Sequence, residues 1–118
     1  MNKEYGEIIA KLDKRQSLQQ IQKIREEMWR ALEFDDETAQ ETILLLTEEV
    51  GELAKAVRKQ SGLKCDLNKN NYSSIADEVA DCFNLLLDLC TIQGIDIFEA
   101  FKNKNTKHLN RVWEKAKK

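Results

Sequence analysis

Between Ser74 and Gly94 the sequence leaves a folded chain little choice. Nearly every position from Val79 to Ile92 that is not acidic is apolar: Val79, Ala80, Cys82, Phe83, Leu85, Leu86, Leu87, Leu89, Cys90 and Ile92. A helix that is apolar all round is buried. Ser73 or Ser74 supplies the N-cap, and Gly94 stops the helix at its far end. The same segment carries Glu78, Asp81 and Asp88. Ionised carboxylates are not buried unpaired, so these acids require an explanation.

A second acidic stretch lies upstream. Thr47-Glu48-Glu49-Val50-Gly51-Glu52-Leu53-Ala54-Lys55-Ala56-Val57 packs three carboxylates into an otherwise apolar helical segment. Like charges at i, i+4 weaken a helix, and Glu48 and Glu52 stand in that relation. The spacing predicts a helix roughly from Glu37 to Lys59, capped by Asp36, with a core stripe of Ile43, Leu46, Val50, Leu53 and Val57. At about 100° per residue, Glu49 lies at one edge of the stripe, Glu52 further round on the same side, and Glu48 nearly opposite. Leu44 and Leu45 fall outside the stripe. The helix is therefore expected to be covered on more than one side, which in so short a chain points to a partner subunit.

Glu49 and Glu52 are one turn apart, and Glu78 and Asp81 repeat that i, i+3 spacing. On facing helices the two pairs would converge four carboxylates on one point, as in the metal sites of helical bundles. Hard divalent ions take oxygen ligands of this kind, and Mg²⁺ binds through a few carboxylates plus substrate phosphates. No histidine is among them, which disfavours zinc and di-iron and favours Mg²⁺ or Mn²⁺. An isolated Glu-x-x-Glu is ordinarily surface charge, here paired with Lys55, Arg58 and Lys59. The second pair, inside a segment expected to be buried, weighs against that.

The rest of the chain reads as scaffold. It has 118 residues, with no proline and four glycines, and this scarcity of helix breakers favours an all-α fold. Ser17 caps a helix carrying Leu18, Ile21, Ile24, Met28 and Leu32 and ending near Glu33, with Trp29 and Phe34 marking its end. Phe34-Asp35-Asp36 forms the turn that follows. Residues 1 to 16 suit either a short helix or a frayed arm. Residues 60 to 72 make one long polar loop, a length often functional in a small domain. Asp96 with Glu99 makes a capping box for the last helix, whose apolar side is Ile97, Phe98, Phe101, His108, Leu109, Val112 and Trp113. The expectation is a single domain over residues 1–118, a bundle of four to five helices, oligomeric.

The net charge of −2 gives no reason to expect nucleic acid or a membrane as partner. Lys102, Lys104, Lys107, Arg111, Lys115, Lys117 and Lys118 crowd the last helix, either as a solvated face or as a grip for an anion. The three cysteines, Cys65, Cys82 and Cys90, lack the paired spacings of a disulfide framework or a zinc site. Cys82 and Cys90 are expected as reduced core thiols. With no signal peptide and no apolar run of spanning length, a cytoplasmic location is expected.

The run Glu48-Glu49-Val50-Gly51-Glu52-Leu53-Ala54-Lys55-Ala56, followed by Ile75-Ala76-Asp77-Glu78-Val79-Ala80-Asp81, resembles the MazG-like family of all-α nucleoside triphosphate pyrophosphohydrolases, which shows Glu-Glu-x-x-Glu and then Glu-x-x-Asp. Asn105-Thr106-Lys107-His108-Leu109-Asn110-Arg111 is similar to the family's Asn-x-Lys-(Phe/His)-x-x-Arg segment. The resemblance covers about residues 18 to 113. It implies Mg²⁺ ligands at Glu49, Glu52, Glu78 and Asp81, the residues already grouped by helical spacing. It places Glu48 as a residue that orients a ligand or serves as base for the attacking water. It places Lys107 and Arg111 on the triphosphate, Asn105 as a polar contact beside them, and Phe34 against the base.

The implied reaction is hydrolysis of an NTP or dNTP between the α- and β-phosphates, giving the monophosphate and pyrophosphate in the service of nucleotide-pool cleaning. Metal ions would neutralise phosphate oxygens and lower the pKa of a bound water. Asp88, two turns beyond Asp81, suits either a group behind the ligands or a pair with a lysine of a neighbouring helix. Phosphoribosyl-ATP pyrophosphatases and dimeric dUTP/dCTP hydrolases resemble the same acidic scaffold, so the motifs leave the substrate open. A non-catalytic helical module that binds metal or nucleotide is the alternative from another class. The apolar residues on extra faces (Leu44, Leu45, Leu85 and Ile92) point to a homodimer, and the resemblance adds the tetramer.

Overall fold

The computed structural model describes residues 2–64, 74–112 and 114. Cys65, Ser73, Trp113, Lys115, Lys117, Lys118 and most of the expected 60–72 loop lie outside the described residues. Those described form five helices and no strand: α1 (Asn2–Ile9), α2 (Leu18–Ala31), α3 (Ala39–Gln60), α4 (Ile75–Gln93) and α5 (Ile97–His108). None is long and apolar enough to cross a membrane. The N-terminal segment, which suited a helix or an arm, is a short helix packed on α2. Ile8 of α1 joins Ile24, Met28 and Ala31 of α2 in a small core, with Tyr5 against it.

The helix ends follow from local chemistry. Ser17 Oγ accepts from the Gln20 backbone N–H at 3.1 Å, and Gln20 Oε1 accepts from the Ser17 N–H at 2.7 Å, a reciprocal cap. After Leu32, Glu33 takes a positive φ of 61°, and the Phe34 N–H donates to the Trp29 carbonyl at 3.0 Å. Asp36 was expected to cap α3. Thr38 does so instead, its Oγ1 accepting from the Glu41 N–H at 3.1 Å. A turn in which the Glu37 N–H donates to the Phe34 carbonyl at 3.0 Å displaces the helix start past Asp36. Ser74 caps α4, and Gly94, at φ 67°, closes it in the left-handed conformation, which glycine adopts without steric cost. Asp96 caps α5 by accepting from the Glu99 N–H at 2.9 Å.

Two glutamines of α2 pin the α4–α5 turn. Gln19 donates to the Asp96 carboxylate at 2.6 Å. Gln22 donates to the Ile95 carbonyl at 2.8 Å and accepts from the Ile97 N–H at 2.9 Å. Deeper in the fold, Arg25 of α2 grips Asp88 of α4 through two parallel hydrogen bonds, Nε to Oδ1 at 2.8 Å and Nη2 to Oδ2 at 2.9 Å. Both side chains are buried. Asp88 therefore pairs with an arginine, where a lysine or a place behind the ligands was expected. A carboxylate this deep needs two donors in one plane, which a guanidinium supplies and an ammonium does not.

The most extensive packing joins α3 to α4, while α2 bridges α4 and α5. The inward face of α3 differs from the expected stripe. Thr42 and Ala56 are its buried residues, Leu46, Glu49 and Leu53 are half-buried, and Ile43, Val50 and Val57 are 45%, 50% and 43% exposed. The sequence carries two apolar faces on this helix, and α4 covers the one that contains Glu49. On α4 itself, Leu87 and Cys90 are buried, but Val79, Phe83 and Leu86 face out, so within one chain this helix is not covered all round. No described residue of α5 is buried. The Cα radius of gyration is 17.6 Å, against roughly 13–14 Å for a compact chain of this length.

Candidate functional site

The pairing of α3 with α4 brings Glu49, Glu78 and Asp81 together, with one carboxylate oxygen from each within 4.8 Å of the others. Their burial is graded: Asp81 is exposed, Glu49 half-buried, and Glu78 buried at 4% exposure. Glu78 Oε2 has no hydrogen-bond partner. Such an atom forfeits its hydration without replacement, at a cost of about 1–3 kcal/mol and more for a charged group.

The crowding shows in the electrostatics. Burial, a hydrogen bond to the Glu78 carboxyl, and the negative charges of Asp81, Glu78 and Glu52 push the Glu49 carboxyl up to about 7. Cys82, one residue past Asp81, has its thiol pushed up by burial and by the charges of Glu49, Glu78 and Asp81. It stays a neutral half-buried thiol, and Cys90 is a free, buried one. The donor set at the cluster is thus three carboxylates, one with an orphaned buried oxygen. These residues fit a hard divalent cation, which would return a partner to Glu78 and remove the repulsion that raises Glu49.

The fourth acid of the expected set stands apart. Glu52 contributes charge to Glu49, but its own carboxylate accepts from Lys55 Nζ at 3.3 Å, and both side chains are nearly half exposed. Glu48 is exposed and outside the cluster. Beside the acids, a recess of about 180 Å³ is lined by Arg25, Leu45, Glu49, Asp81, Asn84 and Leu85. A second recess, of about 230 Å³, is lined by Arg25, Phe34, Asp36, Glu37, Glu41, Leu45, Leu85 and Asp88. The two share Arg25, Leu45 and Leu85 as walls. Phe34 is 45% exposed.

The basic segment lies elsewhere in the chain. Asn105, Lys107 and Arg111 line neither recess. The Asn105 amide donates to the Phe101 carbonyl of its own helix at 2.8 Å, and α5 packs on α2. Arg25 and Glu37 were not singled out by sequence reasoning. Arg25 sits among the apolar residues of α2, and a charge at such a position was the one available signal.

The profile of the MazG nucleotide pyrophosphohydrolase domain matches residues 37–113, which includes both acidic motifs. A dATP/dGTP diphosphohydrolase of Salmonella phage PMBT28 is 34% identical over 87 residues, covering 74% of this chain and 25% of the relative. The chain thus spans about a quarter of the length of that relative. No solved structure matches it. With acids from two helices meeting beside a recess, and a profile match over more than half its length, the chain belongs to the MazG nucleotide pyrophosphohydrolase domain family.

Proposed function

We propose that this chain hydrolyses a nucleoside or deoxynucleoside triphosphate between its α- and β-phosphates, releasing the monophosphate and pyrophosphate. The observation that carries this is the cluster of Glu49, Glu78 and Asp81, with its unpartnered Glu78 oxygen, opening on a recess beside α3 and α4. The name of the phage relative favours purine deoxynucleotides.

Glu49, Glu78 and Asp81 would hold Mg²⁺, or Mn²⁺, with Glu52 joining them once its carboxylate leaves Lys55. When bound, such an ion offsets charge on the phosphate oxygens and makes a coordinated water more acidic. Glu48, the neighbouring acid outside the cluster, takes the proton of the attacking water. Phe34 lies against the base in the second recess. Lys107 and Arg111, with Asn105 beside them, stabilise the charge that develops on the leaving pyrophosphate.

Those three residues line neither recess in their own chain, so the reading includes a homodimer or tetramer in which α5 of a second copy reaches the acids. The exposed stripes Ile43, Val50 and Val57 on α3 and Val79, Phe83 and Leu86 on α4 are the surfaces that such an assembly would cover.

The test is pyrophosphate release from a panel of NTPs and dNTPs with Mg²⁺, with phosphoribosyl-ATP included. Stoichiometric pyrophosphate and monophosphate from at least one substrate is expected. Absence of release from every member would sink the proposal.

A further inference from the structure

We infer that the Glu37 carboxylate reads the nucleobase, favouring bases that carry an exocyclic amino group (adenine, guanine, cytosine) over thymine and uracil. The inference rests on the nucleotide-hydrolase reading and adds to it a residue that sets specificity. A nucleotide whose phosphates lie at Glu49 and Asp81 finds an adjoining space for its base among the described residues. That is the recess of about 230 Å³ sharing Arg25, Leu45 and Leu85 with the acid-lined recess.

Its walls suit a base. Phe34, Leu45 and Leu85 offer apolar contact, and the Phe34 ring is 45% exposed. The Glu37 N–H donates to the Phe34 carbonyl at 3.0 Å, so one tight turn sets ring and carboxylate on the same recess. A base stacked on the ring would present its edge to the carboxylate.

The polarity of the recess supplies the selectivity. Four carboxylates (Asp36, Glu37, Glu41 and Asp88) face one guanidinium, and Arg25 commits Nε and Nη2 to Asp88. Of the carboxylates not held by Arg25, Glu37 is the one half-buried, while Asp36 and Glu41 are exposed. Burial, with the charges of Asp88 and Glu41, also raises the Glu37 carboxyl, so a donor brought by a ligand gains most at this group. The amino groups of adenine, cytosine and guanine are such donors, and guanine adds its ring N–H. Thymine and uracil carry a ring N–H flanked by two carbonyl oxygens, whose lone pairs face the carboxylate. A site built to accept from a substrate amino group discriminates against an analogue that sets a carbonyl oxygen in its place.

Two readouts test this on the 118-residue chain: kcat/KM for dATP, dGTP, dCTP, dTTP and dUTP with Mg²⁺, and calorimetric binding of dAMP and dTMP. The wild type is expected to favour the amino-bearing bases by roughly tenfold or more in both. Glu37→Gln, whose amide can donate to a carbonyl, is expected to bring the ratios within about threefold, while helical circular dichroism is unchanged. Phe34→Ala should weaken all bases alike and leave the ratios as they are. Equal binding of dAMP and dTMP by the wild type, or an unaltered ratio in Glu37→Gln, would overturn the role of Glu37. Selective binding that Glu37→Gln abolishes, with no pyrophosphate release, would uphold Glu37 and remove the hydrolase reading.

Discussion

Glu49 is a half-buried carboxyl facing two others, and its proton is held until about pH 7. Because the folded chain binds that proton more tightly than the unfolded chain, whose glutamate titrates near its ordinary 4.5, unfolding free energy should fall as pH rises from about 4.5 through about 7. Chelator-treated protein followed by urea unfolding across that window should show the decline, and Glu49→Gln should flatten most of it. The same proton competes with a cation, so apparent Mg²⁺ affinity should drop roughly tenfold per pH unit below 7, measured by calorimetry. Glu49→Gln and Asp81→Asn should each lower turnover by roughly 10³-fold or more while circular dichroism keeps its helical signal. Near wild-type turnover in either would remove that residue from the ligand set. Glu48→Gln should reduce kcat by roughly 10²–10⁴-fold with Mg²⁺ affinity intact, and unchanged kcat would free Glu48 of its role as base.

At the level of helices, the buried Arg25–Asp88 pair ties α2 to α4. Removing one partner from such a pair leaves an uncompensated charge, so Asp88→Ala should cost about 3–5 kcal/mol in urea unfolding. The double change Arg25→Met with Asp88→Leu should recover most of that loss. This tie also marks where local sequence reasoning ends. The i, i+3 spacing made Glu78 and Asp81 visible as a pair, and the caps at Ser17, Gly94 and Asp96 could be read, with that of α4 narrowed to Ser73 or Ser74, because each depends on neighbours within a turn. Arg25 and Asp88 are 63 residues apart, and nothing within a turn of either announces the other. The face of α3 was misjudged for a related reason. Periodicity shows that a helix has apolar faces, but the choice between Ile43–Val50–Val57 and the Thr42–Glu49–Ala56 side is made by α4. Glu37 escaped notice because its place depends on the turn that moved the cap from Asp36 to Thr38.

As a whole, the chain is more spread than its length requires, with a radius of gyration of 17.6 Å and apolar stripes open on α3 and α4. Sedimentation at micromolar concentration should give a mass of two or four chains, and Val50→Glu or Phe83→Glu should shift it toward one while leaving helicity in place. A wild-type monomer would count against the assembly and against supply of Lys107 and Arg111 by a second copy. The orphaned oxygen of Glu78 has a consequence on another axis, that of time. It lies on the seam between α3 and α4 amid like charges, whereas the unpartnered buried atom of α2, Trp29 Nε1, belongs to a neutral ring, and the α1–α2 contact rests on the apolar Ile8, Ile24 and Met28. Without a cation, the seam should open more often than the rest of the fold. Amide hydrogens along Glu49–Ala56 and Glu78–Leu85 should then exchange with deuterium faster than those of α2. Millimolar Mg²⁺ should slow that exchange selectively, before any nucleotide is present.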